Sequence, residues 1–446
     1  MRLTAQRQTT GRTVTTMPKS KTVAAFRFRP FSRRQRKVLN WWCDESPYKD
    51  KDGIIADGAI RSGKTVCMAL SFIMWAMSSF NNEQFGMAGK TISSFRRNVM
   101  NPLLRMLKGR GYDSEYSRSD NVLTVTKNGI SNEFFIFGGK DEASQDLVQG
   151  ITCAGFFFDE VALMPESFVN QATGRCSVDG SKLWFNCNPS GPLHWFKVDW
   201  LDKANDLNLL HLHFTMDDNL TLSDRIKERY RRMYSGVFYD RFILGRWTVA
   251  DGLVYDMFDR EKHVLPITEI APKLGRLCYV SCDYGTQNAT VFKMWCKGTD
   301  GLWYCIREYY YSGRDARKQK TDEEYADDMV EFADDAKPRA IIVDPSAASF
   351  IEALRRRGLP VIKAKNDVID GIREMSRLLT TERIKYADCC THTFDEFAAY
   401  SWDKKAAERG EDAPIKTMDH CMDADRYFIH TILEGARARI GKKGIL

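Results

Sequence analysis

Acidic residues are missing from the start of this chain. None precedes Asp44, whereas Arg2, Arg7, Arg12, Lys19, Lys21, Arg27, Arg29, Arg33, Arg34, Arg36 and Lys37 all do. A stretch of one charge sign reads as a basic, solvated arm over residues 1–30, suited to touch nucleic acid. Also missing is any CxxC pair or zinc-type spacing among the twelve cysteines, which argues against a zinc site. The first residues show no secretory-signal pattern, so the expectation is a reducing cytoplasm with reduced, mostly buried thiols. The longest apolar stretch, Val66 to Phe80, is too short to cross a bilayer and is expected to be a buried helix. Internal repeats are absent.

What is present is ordinary in bulk. The 446 residues exceed what one hydrophobic core normally serves, so two domains are expected. The net charge of +7, from 66 Lys and Arg against 59 Asp and Glu, suits a polyanion partner without requiring one. Up to Arg246, short apolar runs at Ile54-Ile55-Ala56, Gly155-Phe156-Phe157-Phe158 and Leu183-Trp184-Phe185 alternate with helical stretches. That pattern indicates a mainly parallel sheet covered on both faces. Ser223 to Met233 reads as a charged helix, and Trp247 to Asp256 as a connector bent at Gly252. A second alternation starts at Leu274. The strand Cys278 to Cys282 ends at Asp283. A hairpin joins Thr290–Trp295 to Leu302–Tyr310. A helix over Thr321–Asp335 carries a Thr321/Glu324 capping box. Ala340–Val343 is a strand ending at Asp344. Further helices are expected near Ala347–Arg357, Val368–Leu379 and from Met418, with a strand at Val361–Ala364. The expected fold is α/β in two domains, with an arm at 1–30, a first domain at 31–247, a linker at 248–265 and a second domain at 266–446.

Gly58-Ala59-Ile60-Arg61-Ser62-Gly63-Lys64-Thr65 fits the phosphate-binding pattern G-x-x-x-x-G-K-[ST] without exception. Glycines let backbone N–H groups approach phosphate, Lys64 reaches the terminal phosphates, and the Thr65 hydroxyl takes Mg²⁺. An apolar strand before the loop and an apolar helix after it supply the required context. The acidic partner is Asp159-Glu160, at the end of Phe156–Phe158. Asp159 is expected to hold Mg²⁺, and Glu160 to orient and activate the attacking water. Arg61 is a candidate for stabilising charge on the γ-phosphate, Gln35 for reading the adenine edge, and Asn186 and Asn188 for sensing the γ-phosphate. A solvent-facing arginine, an exposed glutamine and an Asn-Pro turn are the plain alternatives.

In the second half, Asp283 and Asp344 end strands, and Asp423 sits on the last helix with Asp419 and His420. Residues 419 and 423, and 420 and 423, share a helix face, while Asp425 should point away. Gathered carboxylates repel one another unless cations neutralise them. Two hard ions, Mg²⁺ or Mn²⁺, held by Asp283, Asp344 and Asp423 would suit phosphodiester cleavage. The order strand-Asp, hairpin, helix, strand-Asp, helices, helix-Asp is that of ribonuclease-H-like nucleases with a mixed sheet. Each acid taken singly is as readily a helix cap.

Taken together, these landmarks resemble the large terminase subunit of tailed phages and prophages, in its PBSX-type branch, from Phe31 to Glu434. They include Asn188-Pro189 with His194-Trp195, Asp218-Asn219, Gly245-Arg246-Trp247, Asp283-Tyr284-Gly285, Gly371-Ile372 and His420 to Tyr427. The resemblance implies an ASCE-type ATPase that moves double-stranded DNA into a procapsid through the portal protein. It also implies a nuclease that cuts concatemers, a small terminase subunit as partner, and a homo-oligomeric ring on the portal, with no membrane association. The family's nuclease acids map onto Asp283, Asp344 and Asp423, with His420 as a ligand or general base. Asn186 and Asp425 depart from the branch pattern. Competing readings are an ATP-dependent helicase or repair translocase with a structural second domain, and a non-catalytic DNA-binding or assembly factor.

Overall fold

The computed structural model describes residues 30–285, 288–314, 316–333 and 335–434. The expected basic arm lies outside the described residues, apart from Pro30. No described helix is long and apolar enough to cross a membrane.

The first sheet contains β1 (Gly53–Gly58), β2 (Gln84–Gly89), β3 (Asp113–Ser117), β4 (Val122–Lys127), β5 (Ile130–Gly138), β6 (Gly155–Asp159), β7 (Lys182–Asn186) and β8 (Leu209–Phe214), in the order β3-β4-β5-β2-β6-β7-β1-β8. Pairings from β5 through β8 are parallel, and β3, β4 and β5 add an antiparallel edge. The β4–β5 turn is Asn128-Gly129, with φ of 51° and 81°, as a tight right-twisted hairpin requires. Alternation sorts each strand's side chains between two cores. Phe157 joins Ile54, Phe72 and Trp184 on one face, while Phe156 and Phe158 join Ile55 and Phe185 on the other. Helix α1 (Arg33–Asn40) precedes this sheet, and α2 (Lys64–Ser79) is buried along most of its length, as its nearly all-round apolar sequence demands.

The second sheet holds β9 (Val264–Leu265), β10 (Leu274–Asp283), β11 (Thr290–Gly298), β12 (Trp303–Tyr311), β13 (Ile341–Val343), β14 (Val361–Lys363) and β15 (Ile384–Ala387), in the order β14-β13-β10-β11-β12-β15-β9. It is mixed: β10–β11 and β11–β12 are antiparallel and the remaining pairs parallel. Two charged helices, α3 (Asp224–Arg231) and α4 (Gly236–Phe242), lead from the first sheet towards the second. Beyond β14, α5 (Val368–Thr380) and α6 (His420–Phe428) cover one face of the second sheet, with Ile372, Met375, Met422 and Phe428 in the core. The Thr321/Glu324 capping box forms, with the Glu324 carboxylate accepting from Thr321 N–H at 2.7 Å.

Two expectations meet a different arrangement. The segment 248–265, read as a linker, is packed: Ala250, Val254 and Tyr255 lie in the second core, and β9 is that sheet's edge. Polar and glycine residues suggested a connector, but its apolar positions find cover. The thiols are not all reduced either. Cys278 and Cys296 stand opposite each other on β10 and β11, with Cα atoms 4.1 Å apart, and form a disulfide.

Asp425 does point away from Asp423. It is fully buried, accepts hydrogen bonds from Lys293 Nζ at 2.7 Å and the Tyr386 hydroxyl at 2.9 Å, and so pins α6 to β11. The carboxylate keeps the Lys293 ammonium charged despite its burial, raising its pKa. Removing one partner strands the other charge. Lys293→Met should therefore destabilise the chain by about 3–5 kcal/mol, and Lys293→Met with Asp425→Leu should recover much of that loss. Urea unfolding checks this, and an unshifted transition in the single variant would contradict it.

Candidate functional site

The first cluster forms where β1, β6 and β7 end side by side. Between β1 and α2 the chain makes a tight loop that opens α2 at Lys64. Gly63 has a φ of 86°, and a Cβ there would lie 2.4 Å from Gln35 Nε2, so only glycine fits. The buried Lys64 ammonium donates to the carbonyls of Gly58 (3.0 Å) and Ala59 (2.8 Å), to Ser62 Oγ (3.3 Å) and to Asn188 Oδ1 (3.2 Å). Burial lowers its pKa to about 8. The Thr65 hydroxyl donates to Asp159 Oδ1 at 3.1 Å, and Asn186 Nδ2 donates to both Thr65 (2.9 Å) and Asp159. Burial, then the neighbouring Glu160, push the Asp159 carboxyl up to about 7. A hydroxyl and a buried carboxylate side by side are a donor pair that fits a hard divalent cation. Glu160 follows with a φ of 61°, a left-handed conformation costing about 1–3 kcal/mol for a non-glycine residue, and burial raises its pKa. Such strain is retained where the surroundings fix a side chain's aim.

Arg61, Ser62, Gly63, Lys64, Thr65, Asp159, Glu160 and Asn188 line one cavity of about 570 Å³, and Gly58 abuts it through Lys64. Arg61 is exposed, and its guanidinium lies 5.5 Å from the centre of the Tyr230 ring on α3. Gln35 is buried, so the exposed-residue alternative does not hold. Its Nε2 donates to the Ser62 carbonyl (3.1 Å) and its Oε1 accepts from Ser32 N–H (3.0 Å), so the amide braces the loop and caps α1. One N–H and one lone pair remain for a ligand.

Beneath the loop lies a network that motif reading missed. Asp57, buried in β1, accepts from Trp247 Nε1 at 2.9 Å and contacts His211 and His213 of β8 at 2.7 and 3.1 Å. Burial opposes its charge, but the two histidines outweigh that and hold its pKa below the ordinary value. The two-residue spacing of the histidines was the available signal, since it places both on one face of a strand.

The second cluster lies at the ends of β10 and β13, under α6. Asp283 Oδ2 is 2.9 Å from His420 Nδ1. Burial raises the Asp283 carboxyl to about 6, against the His420 hydrogen bond, with Asp423 adding to the rise. His420 is raised too: burial opposes its charge, but Asp283 and Asp419 outweigh it. Asp344 Oδ2 accepts from the Tyr427 hydroxyl at 2.9 Å, and its other oxygen accepts from Ser346 N–H at 2.7 Å. Burial works against Asp344, but Ser346 and Tyr427 hold it below the ordinary value. Asp423 Oδ1 lies 2.9 Å from Arg426, and its Oδ2 lies 3.3 Å from Lys416. Burial raises the Tyr427 phenol, and the charges of Asp283, Asp423 and Asp344 add to the rise.

The expected convergence of three carboxylates is thus only partly met. Among the described residues, no three His, Cys, Asp or Glu side chains stand close enough to hold one ion. The reason is local: Asp423 is claimed by two cations, and Asp344 by Ser346 and Tyr427. The carboxylate donors are all oxygen, which suits Mg²⁺ or Mn²⁺.

Glu396 supports this cluster from behind. Its Oε2 accepts from the N–H groups of Cys421 (2.7 Å) and Met422 (3.1 Å), capping the helix that carries His420 and Asp423, while its Oε1 is buried without a hydrogen-bond partner. Nothing in its sequence neighbourhood marked it.

A glycine-rich loop on a parallel sheet with a strand-end acid defines a P-loop nucleotide hydrolase, here joined to a second mixed-sheet unit with its own acid cluster. The comparisons specify it further. The family model "Terminase large subunit, T4likevirus-type, N-terminal" matches residues 55–262. A crystal structure of the large terminase from a thermophilic bacteriophage is 62% identical, with a TM-score of 0.88, covering 91% of this chain and 100% of that one. Complexes of that phage's large terminase with ADP and with ATP-gamma-S each match at 60% identity and a TM-score of 0.85, with the same coverage. Among curated proteins, none matches. The chain belongs to the bacteriophage large terminase family.

Burial raises Glu396 from 4.5 to about 7. An acid whose folded pKa exceeds its unfolded one binds its proton more tightly when folded, so it costs stability as pH rises from about 4.5 to 7. Glu396→Gln keeps the accepting oxygen and should remove that slope. Urea unfolding of both proteins between about pH 5 and about pH 8 is the check; parallel pH profiles would contradict it.

Proposed function

We propose that this chain is a DNA-packaging motor subunit in which ATP hydrolysis at the P-loop drives double-stranded DNA into a procapsid. We further propose that the second unit is a metal-dependent endonuclease that cuts concatemers at initiation and termination. The observation that carries this reading is the P-loop cavity, which brings Lys64, Thr65, Asp159 and Glu160 together where β1 and β6 end. Membership of the large terminase family supports the packaging role, and the thermophilic phage protein's complexes with ADP and ATP-gamma-S support ATP as the nucleotide. That membership does not favour the helicase alternative.

In this reading Lys64 leaves its loop carbonyls to meet the β- and γ-phosphates, and backbone N–H groups of 61–65 cradle them. Thr65 and Asp159 would hold Mg²⁺, which would supply charge neutralisation for phosphoryl transfer. Glu160 orients the attacking water and accepts its proton. Asn188, already on Lys64, senses whether a terminal phosphate has taken that ammonium. Arg61 swings from Tyr230 to the phosphates, and Gln35 uses its spare N–H and lone pair on the adenine edge.

In the second unit Asp283, Asp344 and Asp423 would hold Mg²⁺ or Mn²⁺, which would supply an activated water and charge stabilisation for phosphodiester cleavage. Binding requires Lys416 and Arg426 to release Asp423, while His420, steadied by Asp283, takes the proton or joins the ligands. The working division is a motor over 31–247, a packed connector over 248–265 and a nuclease over 266–446, with 1–30 as a DNA-touching arm. The partners are double-stranded DNA, the portal protein and the small terminase subunit, with copies of this chain forming a ring on the portal in the host cytoplasm.

Glu160→Gln should lower ATP turnover on the order of 100- to 10,000-fold while leaving plasmid cutting intact. Asp283→Ala should do the reverse in Mg²⁺ or Mn²⁺. ATPase and nicking assays on the full chain decide it; loss of both activities in either variant, or cutting unchanged in Asp283→Ala, would overturn the assignment.

A further inference from the structure

Helix α5 belongs to the second core by its buried face, but its outer face meets the first half at the rim of the nucleotide site. There Asp370 gathers two cations. Arg373 Nη2 lies 2.8 Å from Asp370 Oδ1, and Lys90, just after β2, lies 3.8 Å from Asp370 Oδ2. The Arg373 guanidinium also stands over the Phe242 ring of α4, 5.6 Å from its centre. The Phe242 carbonyl in turn accepts a hydrogen bond from Ile60 N–H of the P-loop at 2.9 Å. Arg373 is thus clamped between its own helix and an element bonded directly to the loop.

Glu160, Lys90, Phe242, Asp370 and Arg373 line one cavity of about 670 Å³ between the halves. That cavity shares Glu160, Cys187 and Asn188 with the P-loop cavity. On its other side α5 touches the second cluster: a Cβ on Gly371 would lie 2.4 Å from Cγ of Arg426, the residue paired with Asp423. One helix therefore spans from the wall of one site to the support of the other.

We propose that Arg373, supplied by the nuclease half, is a positioning residue for ATP hydrolysis: fixed by Asp370 and Phe242, its guanidinium faces Glu160 across the shared cavity and holds that carboxylate towards the nucleotide. This rests on the reading of Glu160 as the group that orients water. A lone exposed ion pair would contribute almost nothing. Arg373 differs because contacts from both halves restrain it and because only about a third of its side chain is exposed.

The test is steady-state ATP hydrolysis by the full chain. Arg373→Ala should lower kcat about tenfold, equal to about 1.4 kcal/mol in the barrier. The KM for ATP should change by less than about twofold, because the effect is on the reaction and not on binding. Arg373→Lys should recover most of the rate, since the charge is retained. In a Glu160→Gln background, Arg373→Ala should cost nothing more. An unchanged kcat, a rise in KM alone, a lysine variant as poor as alanine, or full additivity with Glu160→Gln would each overturn the proposal. Plasmid cutting lost together with hydrolysis in Arg373→Ala would also overturn it, making Arg373 a packing residue. Wild-type hydrolysis by Glu160→Gln alone would instead fault the reading of Glu160 beneath it.

Discussion

A carboxylate buried at the carboxyl end of a strand has lost its water and needs positive charge, and this chain sets that demand twice. Asp159 ends β6 and Asp283 ends β10, and burial lifts them to about 7 and about 6. Neither is satisfied by a full salt bridge. Asp159 is met by a hydroxyl and an amide, Asp283 by one imidazole. Asp425 is equally buried and is likewise lifted to about 6, but it is paired with Lys293 and anchors a helix. The contrast lies in the partner and not in the lift: a lysine ammonium for Asp425, a hydroxyl and an amide for Asp159, and an imidazole for Asp283. The parallel strands around β1, β6 and β7 bring the loop and the acid to one edge, as crevices at strand ends do in α/β folds. The antiparallel β10–β11–β12 meander leaves the end of β10 free beside β13, where α6 can lie across both.

The two halves are held by more than their covalent connection. Arg241 of α4 forms a buried ion pair with Asp412, Ser235 meets Thr380 at 3.0 Å, and Lys90 reaches Asp367 and Asp370. These contacts surround a cavity that opens onto the nucleotide site, so a change at Glu160 and a change in how α5 sits are not independent. The contact is also apolar: Phe238 lies in the second core, with Tyr234, Val237 and Phe242 packed against it. The solvated pairs of Lys90 give register more than strength, while the buried Arg241–Asp412 pair and the Phe238 contact hold the halves together.

Much of this was legible in the sequence, for a reason that also explains what was not. Gly58 to Thr65 is contiguous, so its chemistry is spelled out locally; the same holds for Asp159-Glu160, for the Thr321/Glu324 cap and for the helix-face argument that turned Asp425 away from Asp423. The two sheets, one mainly parallel and one mixed, followed from runs of apolar residues and the hairpin that joins Thr290–Trp295 to Leu302–Tyr310. The Asn128-Gly129 hairpin was equally local and went unread among the polar residues around it. What local pattern cannot hold is the partner across the chain. Lys293 gave no sign of Asp425, nor Cys278 of Cys296, nor Asp57 of Trp247. The packing of 248–265 depended on cover supplied by residues more than a hundred positions away. Gln35 was placed correctly near the loop, but its amide already braces Ser62. The acids of the second cluster were picked by order along the chain, and order says nothing of Lys416 and Arg426 beside Asp423.

The central claim is that one chain carries two separate cation-dependent carboxylate sites. The most direct measurement is Mn²⁺ binding to the full chain, with and without ATP-gamma-S, in the wild type, Asp159→Asn and Asp283→Asn. The account expects Asp159→Asn to lose only the ion whose binding depends on nucleotide, and Asp283→Asn to lose only nucleotide-independent binding. Loss of both classes in either variant, or of neither, would contradict it.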